Sequence, residues 1–207
     1  MGVFLSLILL VLIFLSTFRQ EPDVEEWVQV LKQRYAGMKL LVGRDKLDEI
    51  QGVRQKLTAF ESFLVNNPSF QEKVVLIQVA LQTTESNELQ AGGVADLVSR
   101  INSRFSTLTY QPVVFLHTQD LTFSQYLALL VVADAFMVTS LREGMALRTH
   151  EFVECQEGRF RPLILSEVGC LLSFFSPVLI HFFTILVVYR KLQLLRFPLL
   201  YSRKPLG

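Results

Sequence analysis

At 207 residues the chain is long enough for one full domain with appendages. Its 20 basic and 19 acidic residues leave a formal charge of +1, which gives no electrostatic footprint for nucleic acid. Two cysteines, Cys155 and Cys170, exclude a disulfide framework and a four-cysteine zinc site. The histidines His117, His150 and His181 are never four residues apart, which excludes a zinc pair on one helix face.

The mean hydropathy of +0.38 is high for a soluble domain, and the excess sits at the two ends. Gly2 to Phe18, GVFLSLILLVLIFLSTF, is uncharged. At about 17 residues it reaches the lower limit for spanning a bilayer core. No basic segment precedes it and no A-x-A-like site follows, so it does not read as a secretory signal.

Residues 20–168 read as an α/β domain. The runs KLLVGR (39–44), VVLIQVAL (74–81), VVFLHT (113–118), AFMVTS (135–140) and PLILSE (162–167) are apolar and β-branched. Such continuous runs predict strands of a parallel sheet covered on both faces. Between them, Val53–Asn66 places Leu57, Phe60 and Leu64 at helical spacing, and Asn87–Phe105 does the same with Leu97, Ile101 and Phe105. Thr122 is placed to cap a helix running to Val132, and Met145–Gln156 predicts another. Strict alternation of strand and helix implies a Rossmann-like, doubly wound parallel sheet with right-handed crossovers.

Cys170 to Tyr189, CLLSFFSPVLIHFFTILVVY, has the length of a transmembrane helix, interrupted by Pro177 and His181. The basic residues Arg190, Lys191, Arg196, Arg203 and Lys204 follow it. If the segment inserts, they place the C-terminus in the cytosol. Segments 1–19 and 169–207 therefore carry two readings each. One is a membrane-spanning helix. The other is translated intron sequence, because Phe, Leu, Ser and Pro are encoded by pyrimidine-rich codons.

Ligands of such a sheet bind at the carboxyl ends of its strands. Two loops there stand out. GRDKLDEIQG (43–52) mixes Arg44, Lys46 and Gly52 before a helix N-terminus, where free N–H groups favour anions. TSLREGMALRTHE (139–151) offers Gly144 for close backbone approach and the carboxylates Glu143 and Glu151 for hydroxyl groups. A basic loop beside a carboxylate loop suits a nucleotide-sugar diphosphate. The plainer reading of Lys46, Asp48 and Glu49 is a solvated loop, and that of Glu143 a helix-terminal charge. Glu151 and Cys155 share a helix face and read as packing. His150 reads as a surface or half-buried polar residue. Ser166 has no His or Asp arrangement beside it that would make it a nucleophile.

The blocks GRDKLDEIQGVRQKLTAFESFLVNNP, VVLIQVAL, INSRFSTLTYQPVVFLHTQDLTFSQYLALLVVADAFMVTSLREGM, EFVECQ and PLILSE occur in the order found in trehalose-6-phosphate synthases. The chain resembles that family, glycosyltransferase family 20, from about Glu21 to Glu167. The resemblance is strongest to the synthase-like region of fungal trehalose-phosphatase and regulatory subunits. It implies a glycosyltransferase B fold, of which this chain resembles the C-terminal, donor-binding half, truncated and flanked by apolar helical ends. The donor there is UDP-glucose and the acceptor, held by the other half, glucose 6-phosphate. With one wall of the cleft the chain alone is expected to be inactive, because positioning both reactants is most of the catalysis.

Carried over residue by residue, the resemblance makes Lys46, Gln51, Glu143, Gly144, Met145, Ala146, Leu147 and Glu151 a degraded donor site. Active members read R-L-D-x-x-K-G where this chain has Lys46-Leu47-Asp48-Glu49-Ile50-Gln51-Gly52. Lys46 keeps the charge of the Arg but loses its bidentate fork, and Gln51 loses the charge of the Lys. A lost charge-assisted contact to phosphate costs about 2–4 kcal/mol of transition-state stabilisation. Active members read L-R-D-G-M-N-L where this chain has Leu141-Arg142-Glu143-Gly144-Met145-Ala146-Leu147. The ribose-binding carboxylate is retained as Glu151. The resemblance thus implies a non-catalytic, structural or regulatory part of a trehalose-synthesising complex, with no metal and no cofactor. Its expected partners are other subunits of that complex and, weakly, UDP-glucose. The family implies a cytoplasmic setting, or a membrane one if the apolar ends insert. A UDP-glucose-binding half that works with a partner chain is the alternative, and a membrane-anchored binding module a third reading. Residues 20–168 alone are expected to aggregate, because they would expose surface that the rest of the fold covers.

Overall fold

The structure, a computed structural model, describes residue 14 and residues 17–81, 88–141, 146–156, 158–159, 161–166 and 186–189, with 88–92 and 186–189 described by their backbone alone. Five strands alternate with helices in the predicted order: β1 (Lys39–Lys46), α2 (Val53–Asn66), β2 (Val74–Leu81), α3 (Glu88–Phe105), β3 (Val113–His117), α4 (Phe123–Val132), β4 (Ala135–Val138), α5 (Leu147–Cys155) and β5 (Leu163–Ser166). Ahead of them lies α1 (Pro22–Arg34), and β6 (Leu186–Tyr189) closes the sheet. The strand order is β3-β2-β1-β4-β5-β6, and every pairing is parallel. The direction of winding reverses between β1 and β4, where Leu41 pairs with Ala135 and Val42 with Phe136. That reversal opens the crevice in which sheets of this kind take ligands.

Two apolar clusters sandwich the sheet. On one face Val24 and Val28 of α1, Leu127 and Leu130 of α4, and Phe152 of α5 pack against Leu40, Val42, Ile77, Phe136 and Leu165. On the other, Val53, Leu57, Phe60 and Leu64 of α2 and Leu97 and Ile101 of α3 pack against Leu76, Ala80, Val113 and Met137. Burial on both faces explains why β2 is apolar without alternation. Helix α4 starts at a full capping box: Thr122 accepts from the Gln125 N–H, and the Gln125 side chain accepts from the Thr122 N–H. Helix α1 has Pro at its start, Asp23 and Glu25 in its first turn, and Lys32 and Arg34 in its last. These charges oppose the helix dipole at both ends.

The apolar ends differ from each other: Phe14, Thr17 and Phe18 of the first are helical as expected, and the described part of the second is not. The first run lies mostly outside the described residues. Its last part does not stand apart from the fold: the Phe18 ring meets Phe14 at 4.3 Å and Phe123 of α4 at 5.8 Å. The Arg19 guanidinium donates to the Glu154 carbonyl of α5 at 2.9 Å. Of the second run only Leu186–Tyr189 is described, and it is a strand, not the end of a membrane helix. Leu-Val-Val-Tyr is strand-favouring, and the open edge of β5 supplies the hydrogen-bonding partner, with Leu163 opposite Leu186 and Ser166 opposite Tyr189. Among the described residues no helix is long and apolar enough to cross a membrane.

Candidate functional site

The two loops singled out in the sequence meet at the carboxyl ends of β1 and β4. Their backbones are stitched together. The Leu141 N–H donates to the Ile50 carbonyl at 2.6 Å, and the Thr139 hydroxyl donates to the Gly52 carbonyl at 3.2 Å. Gly52, the N-cap of α2, has φ +66°. A Cβ there would collide with the Thr139 carbonyl oxygen, so the contact between the loops needs glycine on both counts. Asp48 closes the preceding turn by accepting the Gln51 N–H at 2.7 Å.

Of the residues carried over from the resemblance, Lys46 ends β1 with its side chain exposed. Gln51 is only 9% exposed and turned inward. Its Oε1 accepts from the Arg148 guanidinium and from the Ser140 hydroxyl. Arg148 also donates to Ser140 Oγ at 2.8 Å and stands 3.5 Å from the Asp45 carboxylate. Ala146 is buried and forms the N-cap of α5 with extended backbone and no side-chain cap, while Leu147, the next residue, is 47% exposed. Glu143, Gly144 and Met145 lie outside the described residues.

Glu151 sits one turn into α5 and faces α4 and β1. Its Oε2 accepts from the Tyr126 hydroxyl at 2.6 Å and lies 3.5 Å from the Arg44 guanidinium. That guanidinium covers the Tyr126 ring at 4.6 Å from its centre. Burial and the Glu151 charge hold the Tyr126 phenol well above its usual pKa, so it stays a hydrogen-bond donor.

Beneath both loops lies an ion pair without exposed surface. Lys56 of α2 donates to Asp45 of β1, to Gln78 Oε1 at 3.1 Å and to the Met137 carbonyl at 3.1 Å. Gln78 in turn donates to Asp45 at 3.0 Å. Sequence reasoning missed Lys56, Asp45, Tyr126 and Arg148. One signal for Lys56 was available: it stands on the same helical stripe as Val53, Leu57 and Phe60, where a charge requires a buried partner.

His150 corrects its expected exposure. It is buried beside Thr149, with its Nδ1 3.4 Å from the Ala146 carbonyl oxygen, because this side of α5 carries the packing against the fold. Cys155 is buried in the core, and burial pushes its thiol up to about 12, which removes it from thiolate chemistry. The Ser166 hydroxyl donates to the Ser140 carbonyl and so ties β5 to the same corner. A cavity of about 370 Å³ opens elsewhere, lined by Arg34, Met38, Thr109 and Tyr110 at the amino ends of the strands, and takes in none of these residues.

Residues 13–179 match glycosyltransferase family 20. The chain is 47% identical over 161 residues to the putative alpha,alpha-trehalose-phosphate synthase [UDP-forming] 100 kDa subunit of Schizosaccharomyces pombe, covering 76% of this chain and 18% of that protein. It is 48% identical over 149 residues to the trehalose synthase complex regulatory subunit TSL1 of Saccharomyces cerevisiae, covering 72% of this chain and 13% of that protein. The N-terminal domain of Candida albicans trehalose-6-phosphate phosphatase superposes with a TM-score of 0.73 at 43% identity, covering 76% of this chain and 34% of that one. The chain thus spans less than a fifth of the length of these curated relatives. With the matched range, the identities and the superposition in agreement, the chain belongs to glycosyltransferase family 20.

Proposed function

We propose that this chain serves trehalose biosynthesis as a synthase-like, non-catalytic part of a larger protein or complex, with a structural or regulatory role. The observation that carries this reading is position 51. Where the family places a lysine for the donor diphosphate, Gln51 presents an amide whose oxygen is already taken by Arg148 and Ser140. An amide supplies no countercharge to phosphate, and this one has turned from ligand to internal partner. Relatives named as regulatory subunits of the trehalose synthase complex support the same reading.

A second reading, a UDP-glucose-binding half completed by a partner chain, draws on Glu151. That carboxylate is retained, and its second oxygen remains an acceptor for a hydroxyl. Two measurements on the purified chain separate the readings. Titration with UDP and UDP-glucose by calorimetry is expected to give no saturable heat below millimolar ligand. UDP release from UDP-glucose and glucose 6-phosphate is expected to stay at background for this chain alone, and at the partner's own rate when a catalytically active family member is added. Micromolar binding, or turnover beyond what the partner gives alone, would move the assignment to the second reading.

A further inference from the structure

We propose that the nucleotide-facing corner of this chain is locked by its own side chains, Arg148 standing against Gln51 and Ser140, and Tyr126 with Arg44 against Glu151. The inference deepens the non-catalytic reading above and rests on it for the placement of the corner. The lock has two halves, on different elements. In the first, the Arg148 guanidinium spans from α5 to both loops: it donates to Gln51 Oε1 and Ser140 Oγ and stands 3.5 Å from Asp45. Its side chain is only 12% exposed, so the guanidinium fills the corner between the two loops and is committed to protein partners. An incoming diphosphate would have to pull it from Gln51, Ser140 and Asp45.

In the second half, one carboxylate oxygen of Glu151 takes the Tyr126 hydroxyl and the Arg44 charge together. A ribose diol uses both carboxylate oxygens at once, and here one of them is committed to a short internal hydrogen bond. Arg44 is itself pinned across the Tyr126 ring, so the two partners hold each other as well as Glu151.

The first half is removable with Asp45 still paired. Asp45 is paired with Lys56 at full burial, and that pair is neutral without Arg148. Arg148→Val therefore opens the corner while the support beneath it stays balanced. The test is calorimetric titration with UDP of the full chain and four variants: Arg148→Val, Gln51→Lys, the two combined, and Tyr126→Phe. The combined variant is expected to bind UDP at least about tenfold tighter than the wild type, and Gln51→Lys alone to gain little, because Arg148 still fills the corner. Tyr126→Phe removes one oxygen and keeps the ring packing, so it reports even if the combined variant fails to fold. It is expected to tighten binding by about threefold.

If the combined variant and Tyr126→Phe both bind no tighter than the wild type, the lock is overturned, and a silent wild type leaves the non-catalytic reading standing. An equal gain from Gln51→Lys alone overturns the role of Arg148. If the wild type already binds at micromolar level and Arg148→Val weakens it, Arg148 is a ligand and both readings fail. If the wild type binds measurably and the variants bind tighter, the lock stands and the claim that this corner lacks nucleotide affinity fails.

Discussion

Lys56 has no exposed surface, and its ammonium must place all three of its hydrogens inside the protein. It does so on Asp45, Gln78 and the Met137 carbonyl. Burial lowers its pKa and the Asp45 charge opposes the shift, so the charged pair persists only while both partners are present. The space for the ammonium comes from Gly43: a Cβ there would run into Lys56 Nζ and into Gln78 Oε1. Lys56→Met leaves the buried Asp45 carboxylate with the Gln78 amide and, at 3.5 Å, the Arg148 guanidinium, and without its close countercharge. It is expected to cost about 3–5 kcal/mol in urea unfolding, while Lys56→Met with Asp45→Leu recovers most of that loss. An unchanged midpoint for Lys56→Met would remove the pair from the account of the site. The same residues mark what the sequence revealed of the site and what it hid. Spacing and resemblance put Gln51 and Glu151 on the ligand side of the sheet. The partners that capture them come from other elements: Arg148 of α5 reaches Gln51 in the loop after β1, and Tyr126 of α4 reaches Glu151 of α5.

At the scale of elements, local pattern sufficed wherever one face of a helix or both faces of a strand are uniformly apolar. The predicted limits of α2 and β2 match the structure, and the Thr122 cap is where the sequence placed it. Helix α1 was missed because its buried surface rests on Val24 and Val28, a stripe too thin to read against five charged residues. Helix α5 was found, with Cys155 packed as expected, but its His150 lies deeper than the sequence suggests. The run Arg148-Thr149-His150-Glu151 is polar throughout, so no apolar stripe marks its buried side, yet Thr149 and His150 are both buried. That burial has a consequence in pH. Desolvation lowers the His150 pKa below its usual 6.5, so the unfolded chain binds a proton there more readily than the folded one. The stability this confers is complete above pH 6.5 and is lost as pH falls from there toward the lower folded value. The wild type is expected to lose Tm between pH 7.5 and 5.5, and His150→Gln to show a flatter slope over the same range. Parallel slopes for the two proteins would assign the acid sensitivity to other groups.

On the scale of the whole molecule, the sheet continues past β5. Strand β5 has four residues and would be an edge if the sheet stopped there, offering unpaired backbone groups along its full length. Strand β6 pairs with all four, so residues 186–189 complete a sheet that residues 20–168 leave open. At the other side of the domain the Phe14, Phe18 and Phe123 rings and the Arg19 bond to Glu154 place part of the first apolar run against α4 and α5. Both flanks thus contribute surface that the α/β domain uses. Comparison of chains spanning 14–189, 14–168 and 20–168 tests each contribution by size-exclusion chromatography with light scattering. Loss of 169–189 is expected to turn a monodisperse species into higher oligomers through the bared β5 edge. Further loss of 14–19 is expected to lower Tm without changing the oligomer distribution, because Phe123 loses its aromatic neighbours while no strand edge is opened. A monodisperse 14–168 chain with a cooperative thermal transition would mean that β5 tolerates an open edge, and that the pairing with β6 contributes little to holding the sheet together.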